Sequence, residues 1–129
     1  MKSEKAILNE SLVAGSALER VMLWRENSGL AWVGEEAKGP DRAAALREPG
    51  TKVLRNARPL LAGTPGIADI MGVADGRAVA VEVKDWQGRQ EVSQSRFERA
   101  FIAAGGAYEV VRSPEETVAF LRATMGGKR

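Results

Sequence analysis

From Ser3 to about Ala14 the apolar residues Ile7, Leu8, Leu12 and Val13 recur at helical spacing, and Ser3 stands ready as an N-cap, so the pattern predicts a first helix. A broken continuation past Gly15 to Arg20 is compatible with it. The run Val21-Met22-Leu23-Trp24 is short and apolar, which suits a buried strand, and it closes in the polar turn Arg25-Glu26-Asn27-Ser28-Gly29. A second short strand is expected from Leu30 to Val33. Residues 34 to 50 are rich in Gly, Pro and charge, with room for a short helix from Asp41 to Glu48, and read as an excursion from the core. Lys52 to Arg55 predicts a further strand, and Gly63-Thr64-Pro65-Gly66 is a loop signal.

The second half has stronger patterning. Ile67 to Val73 and Ala78 to Lys84 are strand-like runs, and the intervening Asp75-Gly76 favours a two-residue type I′ hairpin turn. Ser93 or Ser95 is placed to cap a helix carrying Phe97, Ala100, Phe101 and Ala104 on one face, ended by Gly105-Gly106. Tyr108 to Arg112 predicts a strand. Ser113-Pro114-Glu115-Glu116 opens a last helix with a cap, a first-turn proline and a capping-box acid, leading to Val118, Leu121 and Met125. The elements imply an α/β domain with a mixed sheet flanked by helices. At 129 residues the chain is the size of one domain, 1–129, and no repeat or low-complexity tract divides it.

Composition narrows the chemistry. The chain has no cysteine, which excludes disulfides, thiolate metal sites and cysteine nucleophiles. It has no histidine either, which removes Ser-His-Asp hydrolysis and imidazole base catalysis. Catalysis would rest on carboxylates, lysines, hydroxyls and a hard cation. The formal charge of +2 is only mildly basic, although Arg42, Arg47, Lys52, Arg55 and Arg58 concentrate in mid-chain. That concentration suits a solvated face and a phosphate-contacting one equally. No apolar run approaches the roughly 20 residues of a membrane span, and Met1-Lys2-Ser3-Glu4-Lys5 does not open a secretory leader, so the cytoplasm is the expected location.

The hairpin brings the candidate chemistry together. With Asp75 and Gly76 as loop residues, counting outward sets Asp69 directly opposite Glu82. Strand alternation then places Ala80, Glu82 and Lys84 on one face and Val79, Val81 and Val83 on the other. Directly paired Cβ atoms stand about 4.5–5.5 Å apart, and two carboxylates so placed repel each other unless a cation compensates. Magnesium, held by one or two carboxylates with water and phosphate oxygens, would do so, with Asp69, Glu82 and the Val83 carbonyl as ligands. Such an ion activates water and polarises a phosphate, and Lys84 would orient the water and stabilise developing charge. The same three side chains also read as a solvated ion cluster on the outer face of a hairpin.

Asp69 followed by Glu82-Val83-Lys84 resembles the PD-(D/E)XK nuclease motif, with Pro65 further from the aspartate than the family name suggests. More specifically, Gly63-Thr64-Pro65-Gly66-Ile67-Ala68-Asp69, Val81-Glu82-Val83-Lys84, Gln94, Val110-Val111-Arg112-Ser113 and the Trp24 to Gly29 segment resemble the virus-type replication-repair nuclease family, VRR-NUC. The resemblance covers most of the chain outside 34–50. It implies a restriction-endonuclease-like core, Mg²⁺ or Mn²⁺ dependence and cleavage of DNA. It further implies a homodimer acting on four-way junctions, in a bacterial or phage-infected cell, in repair or recombination. By the same resemblance Gln94 supports the metal site or its water, and a first-helix acid, Glu4 or alternatively Glu10, joins it. Arg112 is then expected near the site or on a phosphate, and Arg25, Lys52 and Arg55 are further candidates for DNA contact.

The tryptophans Trp24, Trp32 and Trp86 read as core or interface residues, with Trp86, just past Lys84, open to DNA or to a dimer partner. A DNA-binding module that does not cut is the competing reading, opposed by an acid pair that repels phosphate. A P-loop hydrolase built on Gly63 to Gly66 lacks the required Lys-Ser/Thr and helix start.

Overall fold

The computed structural model describes residues 1–26, 29–38 and 52–126. The helix expected from Asp41 to Glu48, with Arg42 and Arg47, lies outside the described residues. In chain order the elements are α1 (Glu4–Ser16), β1 (Val21–Arg25), β2 (Gly29–Glu36), β3 (Leu54–Ala62), β4 (Ile70–Ala74), β5 (Arg77–Val83), α2 (Val92–Ala103), β6 (Ala107–Val111) and α3 (Pro114–Met125). They group into two compact units, one of residues 1–27 with 63–129 and the other of residues 28–62.

In the larger unit the sheet order is β1-β4-β5-β6. The β1–β4 and β4–β5 pairs are antiparallel, whereas β5 and β6 are parallel with α2 as their crossover. The sheet is therefore mixed and carries helices on both faces. Val81 and Val83 meet Ile7 and Leu8 of α1, Val79 meets Leu121 of α3, and Ala80 on the opposite face joins Ala68, Tyr108, Phe97 and Phe101. Ile70, Val79, Val81 and Val111 are completely buried, each contributing roughly 1.5–3 kcal/mol relative to exposure.

Ser3 caps α1, its Oγ accepting from the Ala6 N–H at 3.2 Å. The buried stripe of this helix differs from the expected one: Val13 is 73% exposed, and Ser11 and Gly15 face inward instead. The reason is close approach to α3. The hydroxyls of Ser11 and Thr117 hydrogen-bond at 2.8 Å between the two helices, and a Cβ at Gly15 would come within 2.9 Å of Leu121 Cδ1. The helix stops at Ser16, and Arg20, at φ 63°, turns the chain into β1.

β1 is not the buried strand its apolar run suggested. It lies at the sheet edge with one face packed: strand alternation turns Val21 and Leu23 to the core and leaves Met22 68% and Trp24 41% exposed on the other face. α2 also departs from expectation. Its N-cap is Glu91 rather than Ser93 or Ser95, and Phe97 and Phe101 pack on the sheet while Ala100 and Ala104 are exposed. Strand β6 ends at Val111, leaving Arg112 beyond it. Ser113 caps α3 by accepting from Glu116 N–H at 3.2 Å, and Glu116 Oε1 reaches back to the Arg112 N–H at 2.6 Å, one residue further than a capping box does.

The smaller unit is built on the antiparallel pair β2–β3, in which Trp32 faces Pro59 and Glu35 faces Arg55. Both strands outrun the short ones expected from Leu30 to Val33 and from Lys52 to Arg55. Gly34 interrupts the register between Val33 and Glu35 and lets the strands approach, since a Cβ there would lie 2.9 Å from the Arg55 carbonyl oxygen.

Candidate active site

The β4–β5 turn sets the site. Asp75 and Gly76 both adopt positive φ, 50° and 84°, as a type I′ turn requires. The resulting register pairs Ala74 with Arg77 and Ile70 with Val81. One step beyond the ladder the backbone pairing gives way to side chains: Glu82 Oε1 accepts from the Asp69 N–H at 3.3 Å, and Asp69 Oδ2 accepts from the Val83 N–H at 2.8 Å. Each acid thus reaches across to the other strand, and the expected opposition of Asp69 and Glu82 is what the structure holds.

Lys84 continues the Glu82 face, with Nζ 3.5 Å from Glu82 Oε2. Gln94 at the start of α2 supplies a second partner, its Nε2 donating to Glu82 Oε2 at 2.6 Å while its Oε1 accepts from the Glu91 N–H at 2.8 Å. The same side chain therefore secures the helix start and aims Glu82. Gly66 makes this possible: at φ +75° it packs so closely that a Cβ would overlap the Ser93 carbonyl and lie 2.8 Å from Gln94 N.

These residues line a cleft of about 340 Å³ with Glu4, Lys5, Leu8, Arg25 and Val83. Asp69 is half-buried and Glu82 is 2% exposed. Burial first, and the Asp69 carboxylate second, push the Glu82 carboxyl up to about 7, against the opposing pull of Lys84 and the Asp69 N–H. Two acids this close, one of them desolvated, form a site that gains from added positive charge.

Of the first-helix acids, Glu4 lines the cleft, whereas Glu10 pairs with Lys2 at 2.6 Å and borders a different groove, between α1 and α3. Arg25 is at the cleft, whereas Lys52 and Arg55 belong to the smaller unit. Arg112 does not line the cleft. Its Nη1 donates to the Asp85 carbonyl and, at 2.8 Å, to the Gly88 carbonyl, and it borders a separate pocket with Trp86, which is 61% exposed. Lys5 was not singled out from sequence, and Leu8 was read only as an apolar residue of the first helix, although it stands one helical turn after Glu4 and so on the same face.

Among the described residues no three carboxylates cluster closely enough to form a metal cage. The available donors are those of a two-carboxylate site, Asp69 with Glu82, which fits a small hard cation that keeps much of its water. Neither a scan against protein-family models nor a search of curated proteins finds a match to this chain. Among the described residues no helix is long and apolar enough to cross a membrane.

Proposed function

We propose that this chain is a metal-dependent endonuclease of restriction-endonuclease-like architecture that hydrolyses DNA phosphodiester bonds, with branched DNA as substrate and a homodimer as the acting form. The observation that carries the reading is the convergence of Asp69, Glu82, Lys84 and Gln94 in one open cleft. The mixed sheet, with the acids at the end of a hairpin and the parallel crossover after it, suits such a core. The motif resemblance to the VRR-NUC family agrees with this chemistry and is the ground for choosing branched DNA and a dimer.

Asp69 and Glu82 would hold Mg²⁺ or Mn²⁺, with the Val83 carbonyl as a further donor, while Glu4 lines the same cleft without joining the carboxylate pair. When bound, the ion would supply Lewis-acid polarisation of the phosphate and a more acidic water. The chain's own parts are distinct. Gln94 keeps Glu82 aimed into the cleft, and Lys84, anchored beside Glu82, stabilises charge that builds on the phosphate as water attacks phosphorus and the bond to the leaving oxygen breaks. Arg25 and Lys5 at the cleft attract the phosphate backbone that the acids alone would repel.

The test is incubation of the native chain, Asp69→Asn and Lys84→Ala with labelled four-way junction, flap, duplex and single-stranded DNA, in Mg²⁺, Mn²⁺ or EDTA. Metal-dependent cleavage lost in both variants, with DNA binding retained, supports the reading. Junction binding without cleavage under any metal overturns it in favour of a non-cleaving DNA-binding module.

A further inference from the structure

We propose that Arg112 is a positioning residue for Lys84, acting by locking the turn that backs the lysine stem. This rests on the reading of Lys84 as the cation of the site. A lysine has a flexible four-carbon stem, so holding its ammonium at one place requires walls along that stem. The root of the stem is fixed at the end of the sheet, where the Lys84 N–H donates to the Val111 carbonyl at 3.0 Å. The wall along the stem is the turn that follows at once. Gly88 lies so near that a Cβ there would stand 3.2 Å from Lys84 Cδ and 3.3 Å from its Cβ.

That turn belongs to no helix or strand and is held by two devices. Asp85 Oδ1 accepts from the N–H groups of Gln87 at 2.9 Å and Gly88 at 2.7 Å, closing it from inside. Arg112 closes it from outside, one guanidinium nitrogen donating to the carbonyls at both its ends, Asp85 and Gly88. The arginine is itself anchored, because Glu116 Oε1 accepts its backbone N–H at 2.6 Å. The chain of contacts runs from the first turn of α3 through Arg112 and the turn to Lys84, which is only 9% exposed with Nζ beside Glu82. A planar, multiply donating guanidinium can bridge two carbonyls, and a lysine ammonium in its place would do so less rigidly.

The experiment measures acylation of the Lys84 amine by acetic anhydride, mapped by mass spectrometry with the exposed Lys5 as internal reference, in native protein, Arg112→Gln, Arg112→Lys and Asp85→Ala. Circular dichroism confirms that each variant is folded. Lys84 is expected to react severalfold faster in Arg112→Gln and in Asp85→Ala, with Arg112→Lys between them and native. Unchanged Lys84 reactivity in a folded Arg112→Gln overturns the proposal, and unchanged reactivity in Arg112→Lys does so if Arg112→Gln does not fold. In the cleavage assay Arg112→Gln is expected to lower kcat on the order of tenfold to a hundredfold with KM little changed. A raised KM with unaltered Lys84 reactivity would make Arg112 a phosphate contact and overturn the positioning role. If native protein cuts nothing, the nuclease reading falls, and the acylation rates still decide the role of Arg112.

Discussion

Gln94 Nε2 and Glu82 Oε2 stand 2.6 Å apart, a hydrogen bond joining the first turn of α2 to a carboxyl at the end of β5. Glu82 is buried and already repelled by Asp69, so this donor satisfies an oxygen that water cannot easily reach. Gln94→Ala removes it together with the brace on the Glu91 N–H. The expected loss is about 1–2 kcal/mol, since Glu82 Oε2 keeps only the longer contact to Lys84 Nζ and the Glu91 N–H loses its side-chain partner. Urea unfolding of native and variant protein measures it. A loss within a few tenths of a kcal/mol would mean that Glu82 does not depend on Gln94.

The elevated Glu82 carboxyl makes a signed prediction for stability in metal-free buffer. Its pKa rises from 4.5 unfolded to about 7 folded, so between these values the native state binds the extra proton. Stability from this group is therefore greatest below pH 4.5, falls as pH rises through the interval, and stays at its lower level above about 7. The full swing is roughly 3 kcal/mol. Glu82→Gln, which cannot ionise, should lose this dependence, so in EDTA it should gain on native protein between pH 5 and pH 8. Parallel denaturation midpoints at the two pH values would sink the idea.

How far such a site is legible depends on whether a local rule governs it. The Asp69–Glu82 opposition was readable because a two-residue turn at Asp75-Gly76 and a side-chain period of two leave no freedom in the count. Ser113 before Pro114 was readable for the same reason, since cap chemistry is local. The burial of α1 and α2 was not. Periodicity scores Val13, Ala100 and Ala104 as apolar but says nothing about which turn of the helix meets a neighbour, and at α1 the close neighbour selects Ser11 and Gly15 instead. Val21 to Trp24 shows only that a strand forms, because edge position is a property of the whole sheet. β3 was legible only at its start, since Asn56 and Pro59 break the strand pattern of the sequence. The bond from Arg112 to Gly88 spans 24 residues, and no window of sequence carries it.

The Ser11–Thr117 hydrogen bond ties α1, which brings Glu4 to the cleft, to α3. Both side chains are fully buried, so removing one leaves the other without a partner. Ser11→Ala and Thr117→Val are each expected to destabilise by about 1–2 kcal/mol, and the double variant by clearly less than the sum. A double-mutant cycle from denaturant unfolding reads the coupling directly, and strict additivity would show that the two hydroxyls do not support one another.

Two glycines with similar positive φ separate strain from packing. Gly66 and Gly76 have φ of +75° and +84°, so an alanine at either pays a similar left-handed penalty, on the order of 1 kcal/mol. Their surroundings differ. Gly76 has nothing within 4 Å of the added Cβ, whereas at Gly66 the Cβ would overlap the Ser93 carbonyl and crowd the Gln94 nitrogen. Gly66→Ala must therefore push the start of α2 away from the β4 entry, and with it the Gln94 side chain that holds Glu82. Thermal melts should show Gly76→Ala only mildly destabilised and Gly66→Ala lowered well beyond it. On the nuclease reading, cleavage should fall sharply in Gly66→Ala at a temperature where it is still folded and be retained in Gly76→Ala. Equal melting temperatures for the two variants would mean that the α2 start yields freely, and Gly66 would then have no part in setting the cleft.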